Sequence, residues 1–417
     1  MTEQFSPDSD EHPRRLPAAS PSADGGRRFS RLGRAAAALA AVAAIIWAVW
    51  RIAPFGGGDS LEKPPGDEAR CDDQTPMVSG PAYSAEATVA DVKQASMEVA
   101  AELIAAYPDA ADALNVMAQL QFHLGNTPEA IRSWRRCLEA DPKCGDAHYG
   151  LGYIAHLEGE NAEAAERFRA ALAIRPDDAR IPVLLADALT RLGKPGEAVP
   201  LLVEHLKSGK GSLDALVCLG RIHMEMQEYD KARRVFEEAV RIDPACREAQ
   251  FGLGNAWARL GEAEKSRQAM SKFQALVANR RAESAVRVMA FDDLAKGREV
   301  AVLIHGEAAK VHAAHGNLEK AEELWRKTAA LDPKHVPSRM ELLAIYERSG
   351  RNRAALRVCE ELRDLEPQRA DHWLNLGVLY SRLGQRDDAL AALDRAIDLE
   401  PDNPRYRQAR ELIRSTP

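Results

Sequence analysis

Three clustered histidines and six cysteines are the side chains in this 417-residue chain whose types and spacing best suit chemistry. His312 and His315 form an i, i+3 pair that can offer two imidazoles to one metal ion, and His305 falls on the same predicted helix. The cysteines, at positions 71, 137, 144, 218, 246 and 359, contain no CxxC and no CxxCH, which excludes zinc-ribbon, thioredoxin-like and c-type haem chemistry. In an oxidising compartment Cys71 is free to cross-link two chains, and otherwise it is a plain free thiol. Glu322 with Glu323 and Asp387 with Asp388 are adjacent carboxylates of the kind found on solvated helix faces. No P-loop, GxSxG, HExxH or Gly-rich dinucleotide turn is present. The sequence therefore reads as non-enzymatic, with no catalytic residue, no cofactor and no metal site expected.

The elements that carry these residues repeat. The stretch 370–403 reads ADHWLNLGVLYSRLGQRDDALAALDRAIDLEPDN, thirty-four residues with two amphipathic helical patterns joined at Gly384. Counting Ala370 as position one, Trp373, Leu376, Gly377 and Tyr380 fall at four, seven, eight and eleven. Ala389, Ala396 and Pro401 fall at twenty, twenty-seven and thirty-two. This pattern resembles the tetratricopeptide repeat (TPR). Small residues at eight, twenty and twenty-seven allow close approach of helix axes, and Pro401 stops the second helix because it lacks an N–H and its ring clashes with the preceding turn. One such hairpin cannot bury its apolar face alone, but stacked neighbours can. The resemblance implies an all-α fold, a right-handed α-solenoid of stacked helical hairpins.

The same register recurs from Ala111, Gly145, Ala179, Leu213 and Arg247, slips by twenty-one residues, and resumes at Val302, Val336 and Ala370. Two TPR blocks are expected, 88–280 with an opening cap helix and 302–403, separated by an extended helical hairpin at 281–301 that turns near Asp292 and Asp293. The polar segment 404–417 is expected to cap the end. Pro182 falls in a first helical turn and is tolerated, whereas Pro200 should bend or shorten its helix. In this register His305 and His312 occupy positions four and eleven, which face the packing interior, so a structural role is favoured over metal binding.

The amino terminus differs in kind. Residues 1–34, rich in Pro, Ser, Asp and Arg, cannot bury enough surface to order and read as a disordered cytoplasmic tail. Ala35 to Trp50 is an uncharged run of sixteen residues preceded by Arg27, Arg28, Arg31 and Arg34. At 1.5 Å per residue it spans about 24 Å, and Ile52 and Ala53 extend it toward the ~30 Å core of a bilayer if Arg51 snorkels. A transmembrane signal anchor at 35–54 is expected; the alternatives are a cleaved signal peptide and a soluble helix, and the bulky Trp47 and Trp50 argue against cleavage. Arginines before the span and carboxylates from Asp59 to Asp73 after it place the amino terminus in the cytoplasm and the repeats on the outer, periplasmic or extracytoplasmic, side. Residues 55–87, with GGGD and KPPGDE, read as a flexible stalk.

In TPR proteins that bind peptides, helix A lines a concave groove at positions two, five, nine, twelve and thirteen. Carried over, this gives Asn115, Gln119, Tyr149, Tyr153, His156, Asp187, Arg221, Phe251, Asn255, Lys310 and Arg382 as groove candidates. Aromatics mixed with amides and isolated charges suit an extended peptide, and each residue is otherwise an ordinary solvated or packed helix residue. No repeat has the lysine at five and asparagine at nine of the TPR carboxylate clamp. The absence of a cysteine module also separates the chain from the anchored TPR proteins of lipopolysaccharide assembly. The net charge of -7 is dispersed and the repeats carry no basic stripe, so nucleic acid is excluded as a partner. The expectation is a membrane-anchored scaffold that binds a peptide or helix of a partner protein. The alternative is a non-catalytic subunit of an envelope enzyme, secretion or biogenesis complex, and self-association through Cys71 or the alanine-rich span is a third.

Overall fold

A computed structural model describes residues 80–209, 213–289 and 293–415, with side chains described outside 279–293. The fold is an all-α helical-repeat solenoid. The expected tail at 1–34, the span at 35–54 and most of the stalk at 55–87 lie outside the described residues. No helix among the described residues is long and apolar enough to cross a membrane. The chain divides into two compact units, one of them Arg70–Pro367, the other described over 368–415.

The larger unit opens with a single 3-10 turn, Pro81–Tyr83, and helix α1 (Val89–Ala106), started by a capping box in which Thr88 and Asp91 exchange hydrogen bonds. Helical hairpins follow: α2 (Ala111–His123) with α3 (Thr127–Ala140), α4 (Gly145–Glu158) with α5 (Asn161–Ile174), α6 (Arg180–Arg191) with α7 (Pro195–Lys207), α8 (Leu213–Glu225) with α9 (Tyr229–Ile242), and α10 (Arg247–Arg259) with α11 (Ala263–Met289). Then come α12 (Asp293–Ala314) with α13 (Leu318–Leu331) and α14 (Val336–Arg348) with α15 (Asn352–Leu365). Pro200 does not break α7: it sits on an exposed face, and the helix is one residue shorter than its fourteen-residue counterparts α5 and α9.

Position fifteen of every repeat closes helix A in the left-handed region. Glycine stands there seven times, from Gly125 (φ 82°) to Gly384 (φ 77°), and Gln227 (φ 60°) once. After it, the next N–H reaches back to the carbonyl at position eleven, as in Glu160 to Ala155 (2.8 Å) and Glu228 to His223 (2.9 Å), the bond that caps a helix ending in this way. Position twenty packs helix B against helix A. Ala130, Ala164, Ala198, Ala232, Ala321, Ala355 and Ala389 are there fully buried.

The amino-terminal stretch is built into this unit. Residues 80–87, the end of the expected flexible stalk, are ordered instead: Ala82 and Ala87 are buried with Ala301 and Leu331, and the Tyr83 hydroxyl bonds His305 Nε2 at 2.8 Å. Helix α1 packs against α2 and also lies along α12. Gly297 faces Val92, and the Tyr107 hydroxyl meets His312 Nδ1 at 3.2 Å, both pairs 205 residues apart, so α1 and α12 run parallel. The Tyr107 ring also stacks on His315 (4.3 Å, 23°), whose Nε2 meets Asp112 at 3.2 Å. The helix that begins the second block thus lies against the helices that begin the first.

The smaller unit holds α16 (Ala370–Arg382), α17 (Arg386–Leu399) and α18 (Pro404–Ser415). Gly377 lets α17 approach until Leu393 would touch an added Cβ at 2.7 Å. Helix α18 lays Ala409 and Ile413 on Ala389 and Leu393, and buries Tyr406, whose hydroxyl bonds Asp371 and Glu400 at 3.2 Å each. Burial, reinforced by those carboxylates, pushes the Tyr406 hydroxyl up to about 12.

Candidate functional site

Successive A helices α2, α4, α6, α8 and α10 touch one another in the larger unit, so residues at equal repeat positions form a row. Its first feature is aromatic. Tyr149 and Tyr153 stand one turn apart on α4 with rings nearly parallel, 13° between planes and 6.2 Å between centroids. Phe122 of α2 meets Tyr153 edge-on at 5.9 Å and 82°. From the other side the Arg180 guanidinium lies 4.9 Å from the Tyr149 ring centre, held in place by two bonds to Asp178, Nε at 3.0 Å and Nη2 at 2.8 Å. Desolvation raises the Tyr149 hydroxyl pKa and Arg180 opposes it, so the phenol stays neutral and able to donate.

The second feature is a carboxylate hub. Asp187 of α6, its side chain 14% exposed, accepts from Arg191 Nε at 2.8 Å and lies 3.3 Å from His156 Nε2 on α4. Its other oxygen accepts from Arg221 of α8. Desolvation lowers the His156 pKa against the pull of Asp187, with Arg191 and Arg221 pushing the same way as burial. Neutral His156 thus faces Asp187 through Nε2 at 3.3 Å, and its buried Nδ1 has no hydrogen-bond partner among the described residues. Arg191 and Arg221 keep 55% and 51% of their side chains exposed, so donors remain turned to solvent from a set that is already positioned.

Of the expected groove residues, the structure brings together Tyr149, Tyr153, His156, Asp187 and Arg221. Phe251 and Asn255 continue the row on α10. Phe251 is 44% exposed with Phe273 5.1 Å behind it, and Asn255 is half-buried. Gln119 is half-buried on α2. Asn115 is a correction: it is buried, its amide oxygen taken by the Trp134 indole N–H at 2.9 Å, because a buried indole needs an acceptor. Lys310, exposed on α12, bonds Glu307 at 2.8 Å on its own helix and stands apart from the cluster. Arg382 is half-buried on α16 of the smaller unit. Phe122, Arg180 and Arg191 were missed, although they fall at positions twelve, two and thirteen of their repeats, the places a helix-A wall uses.

The histidines of α12 serve packing. His305 Nδ1 donates to the Ala301 carbonyl at 2.8 Å and Nε2 accepts from Tyr83, while His312 and His315 meet Tyr107 and Asp112. Burial lowers the His305 pKa to about 4.

Models of the tetratricopeptide repeat match residues 94–134, 117–179, 155–216, 218–278 and 342–414. Similar curated proteins include the type IV pilus assembly protein PilF of Pseudomonas aeruginosa, 30% identical over 121 residues, which are 28% of this chain and 48% of that protein. A DnaJ homolog subfamily C member 7 homolog of Schizosaccharomyces pombe is 23% identical over 164 residues, 36% of this chain and 34% of that one. The chain thus spans about half or less of these relatives. Among solved structures, MamA from Desulfovibrio magneticus RS-1 aligns at 18% identity and TM-score 0.38, covering 40% of this chain and 96% of that one. YrrB, a TPR protein with an unusual peptide-binding site, aligns at 17% and 0.24, covering 50% and 97%.

Proposed function

From a chain that carries tetratricopeptide repeats over most of its described length, we propose a non-catalytic scaffold that binds an extended segment or helix of a partner protein along the helix-A row of 111–259. The observation that carries this reading is the cross-helix cluster itself. Tyr149 and Tyr153 offer aromatic faces, Arg180 closes one end of them, and Asp187 holds the half-exposed Arg191 and Arg221 in fixed positions. Preorganised donors lose little entropy when a partner arrives. An apolar or aromatic partner side chain fits against the tyrosines, while a carboxylate or main-chain carbonyl takes the free guanidinium donors.

The reading also holds the scaffold at a membrane through residues 35–54, with the repeats outside the cytoplasm. What supports it is the uncharged run, the arginines before it and the tryptophans Trp47 and Trp50 at its end. A peptide library screened against the full chain tests the binding claim. One recurrent motif, lost on Tyr149→Ala and Arg221→Ala, is expected; motifs that ignore both substitutions contradict it. Alkaline extraction of membranes tests the anchor: retention in the pellet is expected, and release of the full chain opposes it.

A further inference from the structure

Cys137 and Cys144 stand on either side of the turn that joins the first two repeats. The Asp141 N–H donates to the Cys137 carbonyl at 2.8 Å and the Cys144 N–H to the Asp141 carbonyl at 3.0 Å, so a tight pair of turns carries both. Cys137 is fully buried in a cluster with Trp134, Ala147 and Leu151. Cys144 is the N-cap of α4, half-buried and packed on the same cluster that holds Cys137. The fourth repeat supplies an internal comparison. Three periods further on, Cys246 is the N-cap of α10 and packs in one cluster with Ala239, which takes the place of Cys137. Positions twenty-seven and thirty-four thus share one packed cluster in both the first and the fourth repeat, and only the first repeat puts sulfur at both.

We propose that Cys137 and Cys144 form a dithiol–disulfide site, with Cys144 the reactive thiol and Cys137 the one that resolves its adducts. Cys144 is the reachable sulfur, and its pKa is lowered first by the hydrogen bond from Cys137 and further by the Ala147 N–H, against desolvation. The co-reactant is a disulfide of the glutathione class, RSSR. The Cys144 thiolate attacks one sulfur, forming Cys144–S–S–R and expelling RS⁻. The Cys137 thiol is held above its ordinary pKa by its hydrogen bond to Cys144 and by burial. Once Cys144 is capped and that hydrogen bond is gone, Cys137 passes its proton to the RS⁻ expelled beside it and attacks the Cys144 sulfur. The Cys137–Cys144 bond forms and the second RS⁻ leaves, taking a proton from solvent. Two cysteine thiols are oxidised by two electrons, and RSSR is reduced to two RSH. The product fastens the end of α3 to the N-cap of α4, the helix that carries Tyr149 and Tyr153.

The test incubates the full chain, in mild detergent, with glutathione disulfide, followed by acid quenching, alkylation, trypsin and mass spectrometry. Cleavage after Arg136, Lys143 and Arg167 separates the two sulfurs onto peptides 137–143 and 144–167. In the wild type these peptides are recovered joined, and glutathione does not accumulate on Cys144. In Cys137→Ala, which installs the residue the fourth repeat already has, glutathione stays on Cys144 and appears there several-fold faster than on Cys246. Equal glutathione on Cys144 in both proteins, or no joined peptides from the wild type, overturns the proposal, and the second readout needs no variant.

Discussion

Asp187 and Arg221, one repeat period of thirty-four residues apart, form an ion pair that crosses from α6 to α8. Both occupy position nine, so the pair is side-by-side packing of A helices made visible in charge. Because Arg221 is half-exposed, the pair contributes little to stability. A double-mutant cycle of Asp187→Ala and Arg221→Ala, read by urea unfolding, is expected to show a coupling of about 0.2–1 kcal/mol. A coupling of several kcal/mol would mean that the hub is a folding device rather than a positioned binding surface.

Phe236 is held between two glycines on neighbouring A helices. A Cβ built at Gly220 would stand 2.6 Å from its ring, and one at Gly252 2.3 Å. The ring is buried, so it has no free direction in which to retreat. Gly252→Ala is expected to destabilise the fold by about 1–3 kcal/mol through overpacking, despite the better helix propensity of alanine. Denaturant titration measures it, and an unchanged midpoint would show that the two hairpins separate easily.

Gln227 alone among the eight position-fifteen residues adopts positive φ without being glycine. A left-handed conformation costs an L-residue about 1–2 kcal/mol, part of which glycine returns as unfolded-state entropy. Gln227→Gly is therefore expected to raise the melting temperature, with a net gain of up to about 1 kcal/mol. A lower melting temperature would show that the Gln227 side chain stabilises the turn by contacts of its own.

His305 links stability to acidity. Its pKa, near 6.5 when unfolded, is about 4 in the fold because burial disfavours the imidazolium. The unfolded chain therefore takes up the proton first. The contribution is complete above pH 6.5 and is withdrawn as pH falls through about 4, a total near 3 kcal/mol. Urea unfolding at pH 7 and pH 5 should show a larger loss in wild type than in His305→Gln, which cannot titrate. Equal losses would place the acid sensitivity elsewhere.

Much of this architecture is legible in the chain because it is periodic: alanine at position twenty and glycine at fifteen have the same local reason each time they recur. The groove wall is legible in part for the same reason, and Asp187 with Arg221 follows from equal positions. The pairing of α1 with α12 is not legible, since Tyr107 and His312 are 205 residues apart and neither carries a local mark of the other. Asn115 shows the limit within one repeat. Its position points to the groove, but a tryptophan in place of the phenylalanine found at 168 and 236 brings an N–H that must be satisfied, and Asn115 supplies the acceptor.

The most direct measurement is a crosslinking pulldown from native membranes that compares wild type with Tyr149→Ala, Tyr153→Ala, Arg221→Ala and Asn255→Ala combined, alongside the thermal melt of each. The account predicts that a specific partner is lost while the chain still unfolds in one cooperative melt, lowered because Tyr149 and Tyr153 are half-buried against the core but not abolished because none of the four side chains is fully buried. Recovery of the same proteins by both would contradict it and remove the helix-A row from partner binding.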